Sequence, residues 1–164
     1  MVRKWLPVKL GVIGLVAGAA LVCGVGSAAA FDAKDPLTIH FVKQCPANTC
    51  TGELVREDGR EIPNSSDYWA PTSTSVRSWP LVNFTAVETV SAAQGSLTIA
   101  STGVIDCAAV PTTVVATGTV VSGEWEGHDL TGSTIQESGQ RVSAEKCGHP
   151  LNTTFAGTLL VYAG

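Results

Sequence analysis

The sequence predicts an all-β fold, most simply an antiparallel barrel of seven or eight strands, with a β-sandwich as the alternative. Three observations support this prediction. Apolar residues alternate at period two in several segments, turn-forming residues recur at roughly ten-residue spacing, and no segment after residue 30 shows a helical period. Because most connections have the composition of hairpin turns, we expect consecutive strands to be neighbours.

Residues 1–30 differ in composition from the rest of the chain and are predicted to be a cleaved secretory signal peptide. Basic residues precede a long apolar run, and Ala28-Ala29-Ala30 supplies the small residues of a cleavage site. An uncleaved anchor is one alternative, because the apolar run is slightly long. A lipoprotein signal at Cys23 is another. The cleaved form predicts a secreted or cell-envelope protein.

Cleavage leaves residues 31–164 as a single disulfide-stapled β domain of 134 residues, enough for one core. The signal carries three of the ten basic residues and none of the 14 acidic residues, so seven basic residues remain and the formal net charge becomes −7. An acidic chain without a basic cluster argues against nucleic acid and against anionic membranes. No membrane span is expected after cleavage.

Four cysteines remain after cleavage, an even number that predicts two disulfides in an exported chain. Three connectivities are open, and the pairing of nearest neighbours joins Cys45 to Cys50 and Cys107 to Cys147. A zinc site that combines Cys45, Cys50, Cys147 and His149 is the alternative. Export favours disulfides, so no metal and no other cofactor is expected.

The mature chain opens with a predicted hairpin. Residues 36–43 alternate, and residues 51–57 return after the CPANTC turn as their partner. The inward face of the first strand is predicted to carry Leu37, Ile39 and Phe41.

Residues 58–80 interrupt the alternation and are predicted to form a long loop, with a short edge strand near Ser75. Tyr68, Trp69 and Trp79 lie within it. Long loops often carry function, so these aromatics are candidate ligand-binding residues that could stack on a sugar or an apolar group. The alternative is that they fold back and plug one end of the barrel.

Residues 81–91, 96–105 and 151–162 are three further predicted strands. Glu88 is a charged exception on an otherwise apolar face of the first of them. The other predicted inward residues are Val82, Phe84, Ala86, Val90, Leu97, Ile99, Leu151, Phe155, Leu159 and Val161.

Between Cys107 and Cys147 the sequence predicts one long hairpin. Ser122-Gly123 has the composition of a tight turn, and a turn there places Val120 opposite Trp125. The inward face of the outgoing strand is predicted to carry Val114, Ala116, Gly118 and Val120.

The same register brings Glu124, Glu126 and His128 side by side on the opposite, polar face of this hairpin. Two carboxylates and an imidazole at period two could bind a divalent cation or act as acid and base. Alternating polar residues on a solvent-facing strand give the same pattern without any function. Glu126 and His128 are therefore candidate ligand-binding residues if that face lines a cavity.

No hydrolase, metalloprotease or nucleotide-binding motif occurs in the chain, and no catalytic residue can be assigned. The leading hypothesis is non-catalytic binding of a small apolar or amphipathic ligand, or of a partner at the cell surface. One alternative is a barrel enzyme of the cyclase or isomerase type, assisted by Glu88 or Glu126. Another is a surface adhesion or carbohydrate-binding module that uses Tyr68, Trp69 and Trp79.

Overall fold

The computed structural model describes residues 35–78, 80–143 and 153–164. It contains no helix in these ranges, and so none that could cross a membrane. The all-β prediction is confirmed. The strands are β1 (Leu37–Cys45), β2 (Cys50–Val55), β3 (Ser66–Ser78), β4 (Leu81–Ala92), β5 (Gly95–Asp106), β6 (Thr113–Trp125), β7 (His128–Asp129), β8 (Thr134–Arg141) and β9 (Thr153–Tyr162).

Eight of these strands close into an antiparallel barrel. Strands β1 to β6 pair in chain order, β6 continues to β8, β8 pairs with β9, and β9 returns to β1. The two-residue β7 only extends the hairpin at the end of β6. Because β9 pairs with β1 from Leu37 to Cys45, no open seam is left there. The fold is therefore the predicted barrel, and the sandwich alternative is wrong.

The inward side chains form two apolar clusters, one towards each end of the barrel. The predicted inner faces of β1, β4, β5 and β9 are confirmed wherever their residues are described, with Leu37 only partly buried against the core. One group, the Trp125 cluster, contains Ile39, Phe41, Leu54, Val90, Leu97, Ile99, Val120, Trp125, Leu130, Ile135, Leu159 and Val161. The other, the Trp69 cluster, contains Cys45, Cys50, Trp69, Val82, Phe84, Ala86, Ile105, Ala116 and Phe155.

Two inward glycines make room for aromatic rings in this narrow barrel. A Cβ on Gly103 would lie 2.6 Å from Cζ of Phe84, and a Cβ on Gly157 would lie 2.6 Å from Cζ of Phe41. Such distances are far inside van der Waals contact, so any side chain at either glycine would displace a core ring.

A strand covers Ser75, as predicted, but it is longer than expected: Ser66–Ser78 forms β3, so the prediction of a loop is wrong for most of these residues. This strand pairs with β4 along its length, whereas its pairing with β2 is limited to Cys50–Gly52. Pro71 lies beyond the residues that pair with β2, so its missing N–H removes no hydrogen bond to that strand. The pairing of β3 with β4 has a register shift just after Pro71. Residues 72–76 are exposed, which is why no apolar alternation marks the strand.

The predicted turn at Ser122-Gly123 is also wrong. The turn lies at Glu126-Gly127, where both residues have positive φ (52° and 79°), as a tight hairpin requires. Ser122 and Gly123 stay within β6 and pair with β5, and Trp125 pairs with His128. A register shift leaves Val121 unpaired. This irregularity changes the parity of the alternation, so Val120 and Trp125 both point inward although they are five residues apart.

The Cys45–Cys50 disulfide is confirmed and closes the turn between β1 and β2. Cys107 is disulfide-bonded as well. Cys147, its predicted partner, lies outside the described residues.

Candidate functional site

Four charged side chains point into the barrel between the two apolar clusters. Lys43 lies two residues after the buried Phe41 on β1, and Glu88 interrupts the apolar inner face of β4. Asp67 on β3 and Glu137 on β8 complete the group. We call Lys43, Asp67, Glu88 and Glu137 the Lys43 cluster.

The ammonium of Lys43 is the centre of this cluster. Its Nζ donates hydrogen bonds to Oε1 of Glu88 and, over 3.0 Å, to Oε1 of Glu137. It also lies 3.3 Å from Oδ2 of Asp67. The four side chains are at most 4% exposed. The same Nζ is 4.0 Å from the centre of the Phe41 ring, a cation–π distance.

The cluster contains three carboxyl groups and one ammonium, so full ionisation would bury a net charge of −2. Burial of uncompensated charge is unfavourable, and the group responds by holding protons. Burial raises the pKa of Glu88 to about 7, with the negative charge of Asp67 adding to the rise and Lys43 opposing it. Burial likewise raises the pKa of Glu137 to about 6, with Glu88 adding to the rise. Two carboxyls therefore titrate near neutral pH.

The other two members are shifted in the same direction. Burial raises the pKa of Asp67, although the charge of Lys43 opposes this. Burial by itself would lower the pKa of Lys43, but the attraction of Glu137, Glu88 and Asp67 outweighs it and raises that pKa above its usual value. Lys43 is thus charged at every pH at which the protein is expected to work.

A pocket lies beside the cluster, at the end of the barrel that carries the Cys45–Cys50 disulfide. It encloses about 340 Å³ of atom-free space including its mouth, and about 20 Å³ of it can take the centre of a water molecule, room for about one water. We call it the end pocket. Its described lining is mostly aromatic and aliphatic and includes two charged residues, Lys43 and Glu137. The full lining is Phe41, Lys43, Cys50, Trp69, Phe84, Ile105, Val114, Glu137, Gly139 and Phe155.

No family model, curated protein or solved structure matches the chain. The end pocket and the Lys43 cluster are therefore the basis on which a function is proposed. Together they form a small apolar recess with two charged groups on its inner wall. One is the ammonium of Lys43, which is hydrogen-bonded to carboxyls, and the other is Glu137, whose Oε2 has no hydrogen-bond partner among the described residues. Within the described ranges, no three His, Cys, Asp or Glu side chains are placed to hold a metal ion.

Of the three predicted aromatics, the structure places only Trp69 in the pocket. Trp69 is 5% exposed and packs edge-on against Phe84, with 5.2 Å between ring centres. Tyr68 is its neighbour on β3 and points to the outside, where it is 49% exposed. Trp79 lies outside the described residues. Tyr68 and Trp69 thus do not form one binding surface.

The predicted polar trio lies away from the pocket, at the other end of β6. Glu124 is exposed, Glu126 occupies the exposed turn, and His128 is half-buried on β7. The prediction that spacing brings these three side chains onto one strand face is wrong, because the turn falls between them. Neither Glu126 nor His128 lines the end pocket.

Sequence reasoning recognised one member of the Lys43 cluster, Glu88, and missed the others. Lys43 continues the alternation of β1, and Glu137 lies two residues after the buried Ile135 on β8. A stricter use of period two would have placed both inward. Asp67 carried no such signal, since the chain around it was predicted to be a loop.

Replacing Trp69 with phenylalanine should lower the free energy of unfolding by about 1 to 2 kcal/mol, because the indole fills space in the Trp69 cluster. Urea unfolding followed by far-UV circular dichroism measures this loss. The matched control is Tyr68→Phe on the same strand, which should change stability by less than about 0.5 kcal/mol. Equal losses in both variants would contradict the inward placement of Trp69.

Proposed function

We propose that the chain is an extracytoplasmic binding protein without catalytic activity, and that its end pocket takes a small apolar or amphipathic ligand. The end pocket carries this proposal. It is concave, its walls are largely aromatic and aliphatic, and a few polar groups converge at one side, which is the usual composition of small-molecule sites.

The packing of the barrel limits the size of the ligand. The Lys43 cluster and the Trp125 cluster occupy the interior beyond the pocket. The enclosed part of the recess has room for about one water, so only the end group of a ligand enters it and the rest of the ligand lies in the mouth. The proposed ligand is therefore smaller than the lipids that wide barrels enclose.

Two features support an extracytoplasmic location. Residues 1–30 have the composition of a signal peptide. The Cys45–Cys50 disulfide is of a kind that persists in oxidising compartments.

Titration with 1-hexanol tests the proposal, since Trp69 lines the pocket and its fluorescence should respond. We expect a saturable change in the wild-type protein. Val114→Phe should abolish it, because Val114 lines the pocket and a larger ring there fills the recess. Val115→Phe is the matched control, because Val115 is 56% exposed on the outer wall, and it should bind like the wild type.

Two results would overturn the proposal. One is the absence of any saturable response to 1-hexanol and to its charged six-carbon analogues. The other is equal binding by the Val114→Phe variant, which would place the ligand elsewhere. Thermal melting of both variants establishes that each is folded before binding is compared.

One observation favours the second candidate, a barrel enzyme of the cyclase or isomerase type. Glu137 lines the end pocket and its pKa is raised to about 6, which suits a general acid or base near neutral pH. In that case Glu137, and not Glu126, assists the reaction. Conversion of a compound that co-purifies from the native host, lost in Glu137→Gln, would replace the binding proposal with this one.

A further inference from the structure

We propose that the ligand of the end pocket is an amphipathic cation, a primary ammonium on a short apolar chain, whose ammonium binds the free carboxylate oxygen of Glu137. This inference rests on the proposed function and names the chemical class of its ligand. Three observations carry it: an unsatisfied buried acceptor, an ammonium already surrounded by three carboxyls, and the aromatic wall.

The unsatisfied acceptor is Oε2 of Glu137. The residue is 5% exposed and lines the pocket, and this oxygen has no hydrogen-bond partner among the described residues. Its Oε1 is already held by Lys43 at 3.0 Å. A buried carboxylate oxygen without a partner is costly, and a ligand that donates to it relieves that cost.

Lys43 also lines the pocket, but its ammonium already forms ion pairs with three buried carboxyls. An ammonium has three N–H groups. Two of them bond Glu88 and Glu137, and Oδ2 of Asp67 forms an ion pair with the same Nζ at 3.3 Å without a hydrogen bond. With three carboxyls around one ammonium, a ligand carboxylate would meet excess negative charge, whereas a ligand ammonium would meet an acceptor.

The shape of the pocket matches the two parts of such a ligand. The enclosed part of the pocket has room for about one water, which is close to the size of an ammonium group, and the alkyl chain would lie in the mouth. The rings of Trp69, Phe84 and Phe155 line the recess. Aromatic faces attract cations and cover alkyl chains, so both ends of the ligand find complementary surface.

Protonation of Glu137 should compete with the cation. Glu88 from β4 and Lys43 from β1 act on its charge, and Asp67 from β3 lies against the same ammonium. On its own strand, the half-buried Arg141 lies four residues further along. The inward residues that the other strands pack nearby are uncharged, among them Cys50, Ser101, Ala116 and Phe155. Because burial raises the pKa of Glu137 to about 6, the affinity for an ammonium ligand should fall about tenfold between pH 7.5 and pH 5.

Isothermal titration with three six-carbon probes tests the inference: hexylammonium, 1-hexanol and hexanoate. At pH 7.5 hexylammonium should bind at least about tenfold more tightly than 1-hexanol, and hexanoate most weakly. Glu137→Gln should remove the preference for the ammonium. Glu53→Gln, an exposed position on the outer wall of β2, is the matched control and should keep it.

The pH dependence keeps the test decisive even if Glu137→Gln does not fold, because it uses the wild-type protein. Hexylammonium affinity should fall about tenfold at pH 5, while 1-hexanol affinity stays constant. If 1-hexanol binds as tightly as hexylammonium, or pH has no effect on the ammonium, this inference is wrong and the proposed function stands. If no probe binds, both are wrong.

Discussion

Replacing Lys43 with methionine should lower the free energy of unfolding at pH 7.5 by about 3 to 5 kcal/mol, the usual loss when one partner of a buried ion pair is removed. Lys43 lies against three carboxyls that are almost fully buried, and methionine leaves them facing each other without a cation. Methionine keeps a similar apolar length, so packing changes little. Urea unfolding measures the loss.

The size of this loss should depend on pH. At pH 5 the carboxyls of Glu88 and Glu137 bind protons more readily, so the methionine variant should recover much of its stability. Arg56→Met, at an exposed position after β2, is the matched control and should cost less than about 0.5 kcal/mol at either pH. A Lys43→Met protein as stable as the wild type at pH 7.5 would show that the cluster contributes no stability.

The wild-type protein should be more stable at pH 5 than at pH 8. The pKa of Glu88 is about 7 in the folded state against 4.5 in a solvated chain, so the folded state binds more protons between these values. Stability from this group is complete below about pH 4.5 and is lost as the pH rises through 7. The difference in pKa corresponds to about 3 kcal/mol. Glu137, with its pKa raised to about 6, acts in the same direction.

Other groups do not reverse this trend within the window. Lys43 has a raised pKa, so its contribution is lost only in strongly alkaline solution. Hydrogen bonds from Arg60 and Thr131 lower the pKa values of Asp58 and Asp129, so these groups change the stability only at pH values more acidic than this window. Both carboxylates are solvent-exposed, so they contribute little.

Urea midpoints at pH 5 and pH 8 test this prediction. Glu88→Gln resembles the protonated form and should show a much flatter dependence across the window. Glu53→Gln, on the exposed outer wall, should keep the wild-type slope. A higher midpoint at pH 8 than at pH 5 in the wild type would contradict the buried, proton-holding state of the cluster.

The outcome for individual strands shows which signals in the sequence were sufficient. β1 and β4 were predicted correctly because their buried side chains alternate with polar ones, and only one pairing register buries the whole apolar set. For β3 only a short edge strand near Ser75 was predicted, because residues 72–76 are exposed and are held by backbone pairing with β4. Backbone hydrogen bonds leave no trace in side-chain composition.

The turn position in the hairpin after Cys107 was predicted wrongly for a different reason. Ser122-Gly123 and Glu126-Gly127 both have the composition of a tight turn, and local sequence does not distinguish them. Pairing with β5 extends β6 as far as Trp125 and excludes the earlier turn. The turn position matters for the candidate site, because a turn at Glu126-Gly127 places Glu126 on the exposed surface and away from the end pocket.

The sequence by itself determined the fold class and most of the inward apolar positions, because alternation is a local property. Short cysteine spacing favoured the Cys45–Cys50 pairing, which the structure shows. Only the tertiary structure decided the site. Lys43, Asp67, Glu88 and Glu137 belong to four different strands, and the curvature and register of a closed barrel bring them together. Electrostatic attraction between residues up to 94 positions apart depends on distance in space, which no local pattern contains.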